Sequence, residues 1–144
     1  MGRALELARA AAADGDVPVG AVVVTPEGVV IGEGCNLREA DGDPTAHAEV
    51  VALRAAARHT GEWRLEDCTL VVTLEPCPMC AGALLLSRVS TLVVGAWDPK
   101  MGACGSVWDI VRDRRATHRV EVISGVREAE CSQVLLDFFA AHRV

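Results

Sequence analysis

Several features that mark other classes of protein are missing from this sequence, and each absence narrows the possibilities. The 144 residues contain no apolar run that approaches the length of a membrane span. The first residues lack the apolar stretch and the cleavage site of a secretory signal. These two absences predict a cytoplasmic protein with no membrane partner. No repeat, low-complexity stretch or linker divides the chain, and 51% of it is apolar, so we expect one domain over residues 1–144.

An excess of positive charge is also missing. The chain has 14 Lys and Arg residues against 20 Asp and Glu residues, which argues against a nucleic-acid partner because phosphate binding depends on cations. The charges are unevenly distributed, however. Six cations and three anions lie between residues 88 and 119, so this basic segment either contacts a polyanion or forms a solvated charged face. The cations are Arg88, Lys100, Arg112, Arg114, Arg115 and Arg119.

The pattern of apolar and turn residues predicts helices and strands in alternation. A first helix is expected before Gly15, then a hairpin that turns at Pro26-Glu27-Gly28, then an alanine-rich helix that residues 43–45 would cap. The expected ranges are 19–25 and 29–31 for the hairpin, 69–73, 91–95 and 120–123 for later strands, and 77–87 and 127–141 for later helices. This alternation predicts a layered α/β domain with a mixed sheet.

The cysteines point to metal binding or buried thiols more than to disulfides in such a chain. Cys77 and Cys80 are three residues apart where a helix is predicted to begin, so both sulfurs can face one point. The positive end of the helix dipole favours their thiolate forms, which bind metal. Two thiolates and the imidazole of His47 suit zinc. Because a fourth ligand at finger-like spacing is missing, the zinc is predicted to be catalytic, with one open position.

His47 and Glu49 are two residues apart, and in mid-helix they would project about 200° from each other. They can converge only if the metal lies off the start of the helix, where the Pro44-Thr45 cap would place them. Glu49 would then lie beside the open position. A carboxylate there can take a proton from water and return it to a departing amine. We therefore expect Glu49 to be catalytic and not to be a ligand.

Each motif has a simpler explanation when it is taken alone. Cys77 and Cys80 could form a redox pair, and His47 could be an ordinary polar residue whose hydrogen bonds are satisfied. The combination of both motifs at predicted helix starts, each after a strand, favours the metal centre.

His-x-Glu followed downstream by Pro-Cys-x-x-Cys is the signature of the zinc-dependent nucleobase deaminases. The similarity extends further, because several longer segments resemble the bacterial tRNA-specific adenosine deaminases. These segments are 17–22, 43–49, 73–83, 95–106 and 137–139, and together they span nearly the whole chain.

The resemblance implies a cytidine-deaminase-like fold, which is a three-layer α/β/α sandwich with a central mixed sheet. It also implies a homodimer that deaminates adenosine to inosine at the wobble position of a tRNA anticodon, with the target base flipped into a pocket. One Zn²⁺ per chain is expected. Carried over by position, the functional residues are His47, Cys77 and Cys80 for zinc, Glu49 for proton transfer, and Asn36 and the backbone of Ala48 for the base.

Asp98 and Lys100 lie in the glycine-rich stretch that most distinguishes the tRNA-editing family, and we expect both to bind substrate. A carboxylate near a nucleic-acid backbone repels phosphate, so Asp98 needs a compensating role. It can accept a hydrogen bond from a ribose 2′-hydroxyl, or it can merely cap the turn at Pro99. Many relatives continue beyond the Phe138-Phe139 pair with several arginines, whereas one arginine follows here, so Lys100 and the basic segment are expected to contact the RNA.

The other four cysteines show no ligand spacing, and burial as small apolar residues is expected for them. They are Cys35, Cys68, Cys104 and Cys131, of which Cys104 stands where the family commonly has a small apolar residue. Phe138 and Phe139 are predicted to pack in the core, while Trp97 is equally suited to packing and to stacking on a base.

Two other functions compete with tRNA editing. A small-molecule deaminase of guanine, cytosine or a nucleoside would share the zinc motifs, but it has no physical need for the 98–106 stretch or the basic segment. A non-enzymatic module stabilised by zinc is disfavoured by the open fourth position and by Glu49.

Overall fold

The computed structural model describes residues 1–143. Val144, the last residue of the predicted domain and of its C-terminal tail, lies outside the described residues. The elements between residues 1 and 143 follow in the order α1 (Gly2–Ala13), β1 (Gly20–Val24), β2 (Val30–Cys35), α2 (Arg38–Asp41), α3 (Ala48–Thr60), β3 (Thr69–Leu74), α4 (Pro78–Leu86), β4 (Thr91–Ala96), β5 (Glu121–Ile123) and α5 (Glu128–Ala141).

The strands form one mixed sheet in the order β2-β1-β3-β4-β5. Strand β1 pairs antiparallel with both β2 and β3, while β3, β4 and β5 run parallel to one another. Short runs rich in valine build the central strands, since β-branched side chains pack well on a pleated surface. The carboxyl ends of the parallel strands therefore share one edge of the sheet, where functional groups commonly collect in such folds.

Helices cover both faces of the sheet. Helices α3 and α4 pack on one face, and α1 and α5 pack on the other. Glycines let the helices approach closely, because a Cβ at Gly20 would overlap the backbone of α1 and a Cβ at Gly32 would overlap the backbone of α3. The predicted three-layer α/β/α sandwich with a central mixed sheet is confirmed.

The main core lies between the sheet and the α3–α4 layer. Its fully buried members include Leu70 and Val72 of β3, Leu92 and Val94 of β4, and Leu84 of α4. Each such side chain contributes about 1.5–3 kcal/mol by leaving water. This core holds the starts of α3 and α4 against the ends of the strands.

The structure differs from the predicted elements near residues 38–47. Helix α2 was not predicted, and Asp43 does not cap α3. Its Oδ1 instead accepts hydrogen bonds from the backbone N–H and the hydroxyl of Thr45, both at 2.8 Å, which closes a separate turn. Helix α3 begins later, with His47 at its N-cap.

Within residues 1–143, no helix combines the length and the apolar character that crossing a bilayer requires.

Candidate active site and metal centre

Two helix starts bring the predicted metal ligands together. His47 is the N-cap of α3, with an extended backbone at φ −71° and ψ 152°. Cys77 is the N-cap of α4, also extended, and Cys80 lies in the first turn of that helix. Strand β3 ends at Leu74, so the three residues 75–77 carry the chain directly from the edge of the sheet into α4. The side chains converge because their backbones are fixed where the helices begin.

The spacing of the three ligand atoms suits zinc. Nδ1 of His47 lies 3.6 Å from Sγ of Cys77 and 3.5 Å from Sγ of Cys80, and all three atoms lie within 4.8 Å of one another. Tetrahedral zinc with Zn–S of about 2.3 Å and Zn–N of about 2.0–2.1 Å separates such sulfur and nitrogen atoms by about 3.6 Å. The donor set and its spacing therefore fit one zinc ion.

The protonation state of Cys77 also favours a metal. The pKa of Cys77 is lowered to about 4, first by a hydrogen bond from the Cys80 thiol and then by His47. The pKa of Cys80 is raised, because its thiol donates to Cys77 and is buried. Hydrogen bonding to Cys77 raises the pKa of His47. A thiolate at Cys77 is thus present at neutral pH, and thiolates are the metal-binding form.

Glu49 is the buried acid of this centre. It is 4% exposed, and burial raises the pKa of its carboxyl to about 7, with Cys77 adding to the rise and His47 opposing it. Glu49 lies outside the metal-binding group formed by the described residues. A carboxyl group with a pKa near neutrality can both accept and return a proton.

A cavity of about 300 Å³ opens onto the centre. Asn36 and Ala48 line it, as do His47 and Glu49, so the structure brings the expected substrate-binding residues to the metal ligands. Asn36 is 5% exposed, and its Oδ1 has no hydrogen-bond partner among the described residues. Because buried polar atoms are almost always paired, this oxygen is suited to a donor from a bound molecule.

Residues 1–96 match the family model for the cytidine and deoxycytidylate deaminase zinc-binding region. This chain belongs to that deaminase family. It is 53% identical over 140 residues to the tRNA-specific adenosine deaminase of Haemophilus influenzae, which covers 97% of this chain and 81% of that protein. The zinc-dependent deaminase predicted from the sequence is confirmed.

Two solved structures are similar to the deaminase. A tRNA:A34 deaminase, which performs A-to-I editing at the wobble position of transfer RNA, matches with a TM-score of 0.88 and 41% identity, over 92% of this chain and 95% of that one. The guanine deaminase of Nitrosomonas europaea matches with a TM-score of 0.84 and 27% identity, over 96% and 82%. Enzymes with different substrates therefore share this fold.

Of the two other predicted substrate residues, only Asp98 reaches the cavity. Asp98 lines it, and its Oδ1 accepts hydrogen bonds from the backbone N–H groups of Lys100 at 3.0 Å and Met101 at 3.3 Å. Asp98 therefore does cap the turn at Pro99, as one of the two roles considered for it required. The side chain of Lys100 is exposed and lies outside the cavity lining of the described residues.

The structure adds cavity residues that the sequence interpretation missed. Glu75 and Met101 line the cavity, and so does Arg38 of the unpredicted helix α2. The position of Glu75, between the end of a predicted strand and Pro76-Cys77, was the one available signal for it. No comparable signal marked Arg38, because its segment shows no clear periodicity.

Local ion pairs partly neutralise the basic segment of the deaminase. Arg112 pairs with Asp109 at 2.8 Å, and Arg115 pairs with Asp113 at 2.7 Å. Within residues 1–143, Lys100 and Arg114 form no ion pair shorter than 4.0 Å. These two cations are therefore better placed to meet a polyanion than the paired arginines.

Burial is confirmed for Cys68, Cys104 and Cys131, whereas Cys35 is partly exposed. Core packing is wrong for Phe139, which is 49% exposed. The reason is that α5 buries only Cys131, near its start, so the end of the helix stays at the surface.

Trp97 is partly packed and partly exposed. Its side chain is 37% exposed, and its ring lies against Gly105.

Proposed function

We propose that this deaminase converts adenosine to inosine at the wobble position of a tRNA anticodon. The observation that carries the proposal is the His47, Cys77 and Cys80 group beside buried Glu49 in a cavity of about 300 Å³, in a chain 53% identical to a tRNA-specific adenosine deaminase. In this reaction water adds at C6 of adenine, the C6–N bond breaks, and ammonia leaves.

His47, Cys77 and Cys80 would hold one zinc ion per chain. When bound, zinc supplies Lewis-acid activation of water, which lowers the pKa of that water towards neutrality. The low pKa of Cys77 supports this role, because the site offers a thiolate before any metal arrives.

Glu49 would carry the proton from the attacking water to the departing amine. Its carboxyl lies at the centre, is shielded from solvent and has a pKa raised to about 7. A group with a pKa near the working pH is an efficient proton acceptor and donor. Glu49 can therefore serve in both halves of the reaction without binding the metal.

Asn36 and Ala48 would hold the base. The unpaired Oδ1 of Asn36 offers an acceptor inside the cavity, and leaving a buried acceptor unpaired costs about 1–3 kcal/mol. A purine that supplies the missing donor regains that energy. The backbone of Ala48, at the start of α3, lies on the same wall.

The target nucleotide must leave its stack to enter this cavity, since the metal centre is not accessible to a paired or stacked base. Its flanking phosphates would remain at the mouth. Arg38 is the one Lys or Arg among the described residues that line the cavity, and it is exposed. Arg38, Lys100 and Arg114 are the cations we assign to the RNA backbone.

We infer that the deaminase is a homodimer that associates through the outer face of α4. This helix is apolar on all sides, and such helices are normally covered all round. Its inner face is buried, but Leu86 is 73% exposed and neighbouring Trp63 is 55% exposed.

Light scattering tests the homodimer. At micromolar concentration it should give twice the chain mass, and Leu86→Glu should give a monomer. Leu136→Glu on α5, 60% exposed, is the matched control; a monomeric wild-type protein would contradict the inference.

The 1–144 chain is proposed to act as one catalytic domain, because a single sheet draws its strands from residue 20 to residue 123. A cytoplasmic location is proposed with it, since that is where an anticodon substrate would be met.

A rate comparison on four substrates tests the proposed function. The zinc-loaded protein is assayed on an anticodon stem-loop with adenosine at the wobble position, the same stem-loop with guanosine there, free adenosine and free guanine. We expect inosine from the first substrate at a kcat/KM at least about 1000-fold above the others, because a free base or nucleoside offers no binding energy beyond the reacting group. Preferential turnover of free guanine would contradict the proposal and would indicate that this chain has the activity of the structurally similar guanine deaminase.

A further inference from the structure

Glu75 is a buried carboxylate outside the metal centre. It follows the last residue of β3, is 2% exposed and lines the substrate cavity. All three of its side-chain hydrogen bonds are to one segment, residues 98–106, which we call the 98–106 loop. The loop supplies Asp98 and Met101 to the wall of the cavity.

Both carboxylate oxygens are occupied by backbone donors. Oε1 accepts from the N–H of Asp98 at 3.0 Å. Oε2 accepts from the N–H of Cys104 at 3.0 Å and from the N–H of Ser106 at 3.1 Å. Hydrogen bonds to a charged acceptor are about twice as strong as neutral ones. One side chain therefore ties the beginning of the loop to its end.

The loop also closes tightly over this carboxylate. A Cβ added at Gly102 would overlap the Glu75 carboxylate and the hydroxyl of Ser106. That hydroxyl donates to the carbonyl of Asp98 at 2.8 Å, which adds a second link across the loop. The glycine is needed here for space, because any larger residue would push the loop away from Glu75.

We propose that Glu75 is a positioning residue, which holds the 98–106 loop as one wall of the substrate cavity and takes no part in proton transfer. Three N–H groups of the loop take up most of the hydrogen-bonding capacity of its oxygens, so the side chain is directed at the loop and not at the metal ligands. The groups that carry the chemistry lie on α3 and α4, whereas the loop presents Asp98 and Met101 to the substrate. Fixing that wall before binding avoids the cost of ordering it in the complex.

Glu75→Gln tests the geometry directly. The amide keeps the shape of the side chain but replaces one acceptor oxygen with an NH₂ group, which faces an N–H donor and cannot bond to it. Hydrogen exchange at the amides of Asp98, Cys104 and Ser106 should quicken about ten-fold or more, because their charged acceptor is gone.

Asp16→Asn is the matched control for exchange. Asp16 is also 2% exposed, and its carboxylate also accepts from backbone N–H groups, those of Val17 at 3.1 Å and Glu39 at 2.9 Å. This variant should quicken exchange around residues 17 and 39 and leave the 98–106 loop unchanged. Faster exchange of the loop in both variants would indicate general loosening of the fold and would overturn the proposal.

Kinetics separate positioning from catalysis. In Glu75→Gln, zinc content should stay at one per chain and kcat/KM on the anticodon stem-loop should fall about ten-fold or more, mainly through KM. Glu62 is exposed, and Glu62→Gln should leave both the zinc content and kcat/KM unchanged. A fall confined to kcat with KM unchanged would make Glu75 a catalytic residue and overturn the proposal, as would unchanged kinetics.

This kinetic arm rests on the proposed function, while the exchange arm does not, so the two can fail separately. Gly102→Ala provides a second variant if Glu75→Gln does not fold, because it pushes the loop from the other side of the same contact. It should quicken exchange in the same three amides. If Glu75→Gln folds, the double variant should raise the exchange free-energy change by less than the sum of the two single variants, since both disturb the same contact. Unchanged exchange in Gly102→Ala would overturn the proposal.

Discussion

Glu49 is the single side chain on which we expect turnover to depend most strongly. It is buried beside the metal ligands without belonging to their group. Glu49→Ala should lower turnover by on the order of 10²–10⁴ or more, because a positioned acid–base group is removed. Zinc content and RNA affinity should stay close to the wild-type values. Single-turnover rates, metal analysis and a binding titration check these three expectations, and loss of zinc from the variant would contradict the assigned role.

Asp98 caps a turn beside the cavity, and we also expect it to bind the substrate. Its Oδ1 caps the turn formed by Lys100 and Met101, and an asparagine oxygen can accept the same bonds. Asp98→Asn should therefore keep the turn while it removes the charge that repels phosphate. We expect a weaker preference for RNA over DNA, because a carboxylate favours a partner with a 2′-hydroxyl donor. Rates on matched RNA and DNA stem-loops measure this, and an unchanged ratio would leave only the capping role.

A bound metal would join the starts of α3 and α4. His47 and Cys77 occupy the two N-caps, so a bound ion joins helices whose ligands are 30 residues apart in the chain. Binding to the folded state alone stabilises it, by about 2.7 kcal/mol at a ligand concentration 100 times Kd.

Chelation should consequently lower the melting temperature by several degrees, since about 2–4 °C is expected per kcal/mol in chains of roughly this size. Added zinc should restore it. Glu49→Ala should respond to zinc in the same way, whereas Cys77→Ser should not respond. A Cys77→Ser variant that still gains stability from zinc would show that the ligand set is wrong.

At the scale of the whole molecule, a chain with a net charge of −6 must approach a polyanion through a few free cations. Neutralising Lys100 and Arg114 together should flatten the dependence of log Kd on log salt, by roughly 0.7–0.9 for each phosphate that the variant no longer neutralises. The same change at Arg112 and Arg115 should have a smaller effect, because Asp109 and Asp113 already neutralise these two. Arg9 and Arg58, exposed on α1 and α3, are controls. Equal slopes in all variants would make the basic segment a solvated face.

Much of the fold and the centre of the site were predictable from the sequence. The order of strands and helices follows from local apolar periodicity, which short stretches of chain display by themselves. Zinc chemistry follows from the residue types at 47, 77 and 80, because imidazole and thiolate are the donors that zinc prefers. The boundary of α3 was misplaced, since Asp43 closes its own turn instead of capping the helix.

Only the tertiary structure decided how distant segments meet around that centre. Packing between elements brings Glu75 into contact with amides 23 to 31 residues away. It also leaves the oxygen of Asn36 unpaired and places Arg38 in the cavity. The ion pairs of Arg112 and Arg115 are instead local, because their aspartate partners lie three and two residues away in the chain. A sequence displays the chemistry of each residue and its local periodicity, but burial and hydrogen-bond partners are set by the long-range contacts that the folded chain makes.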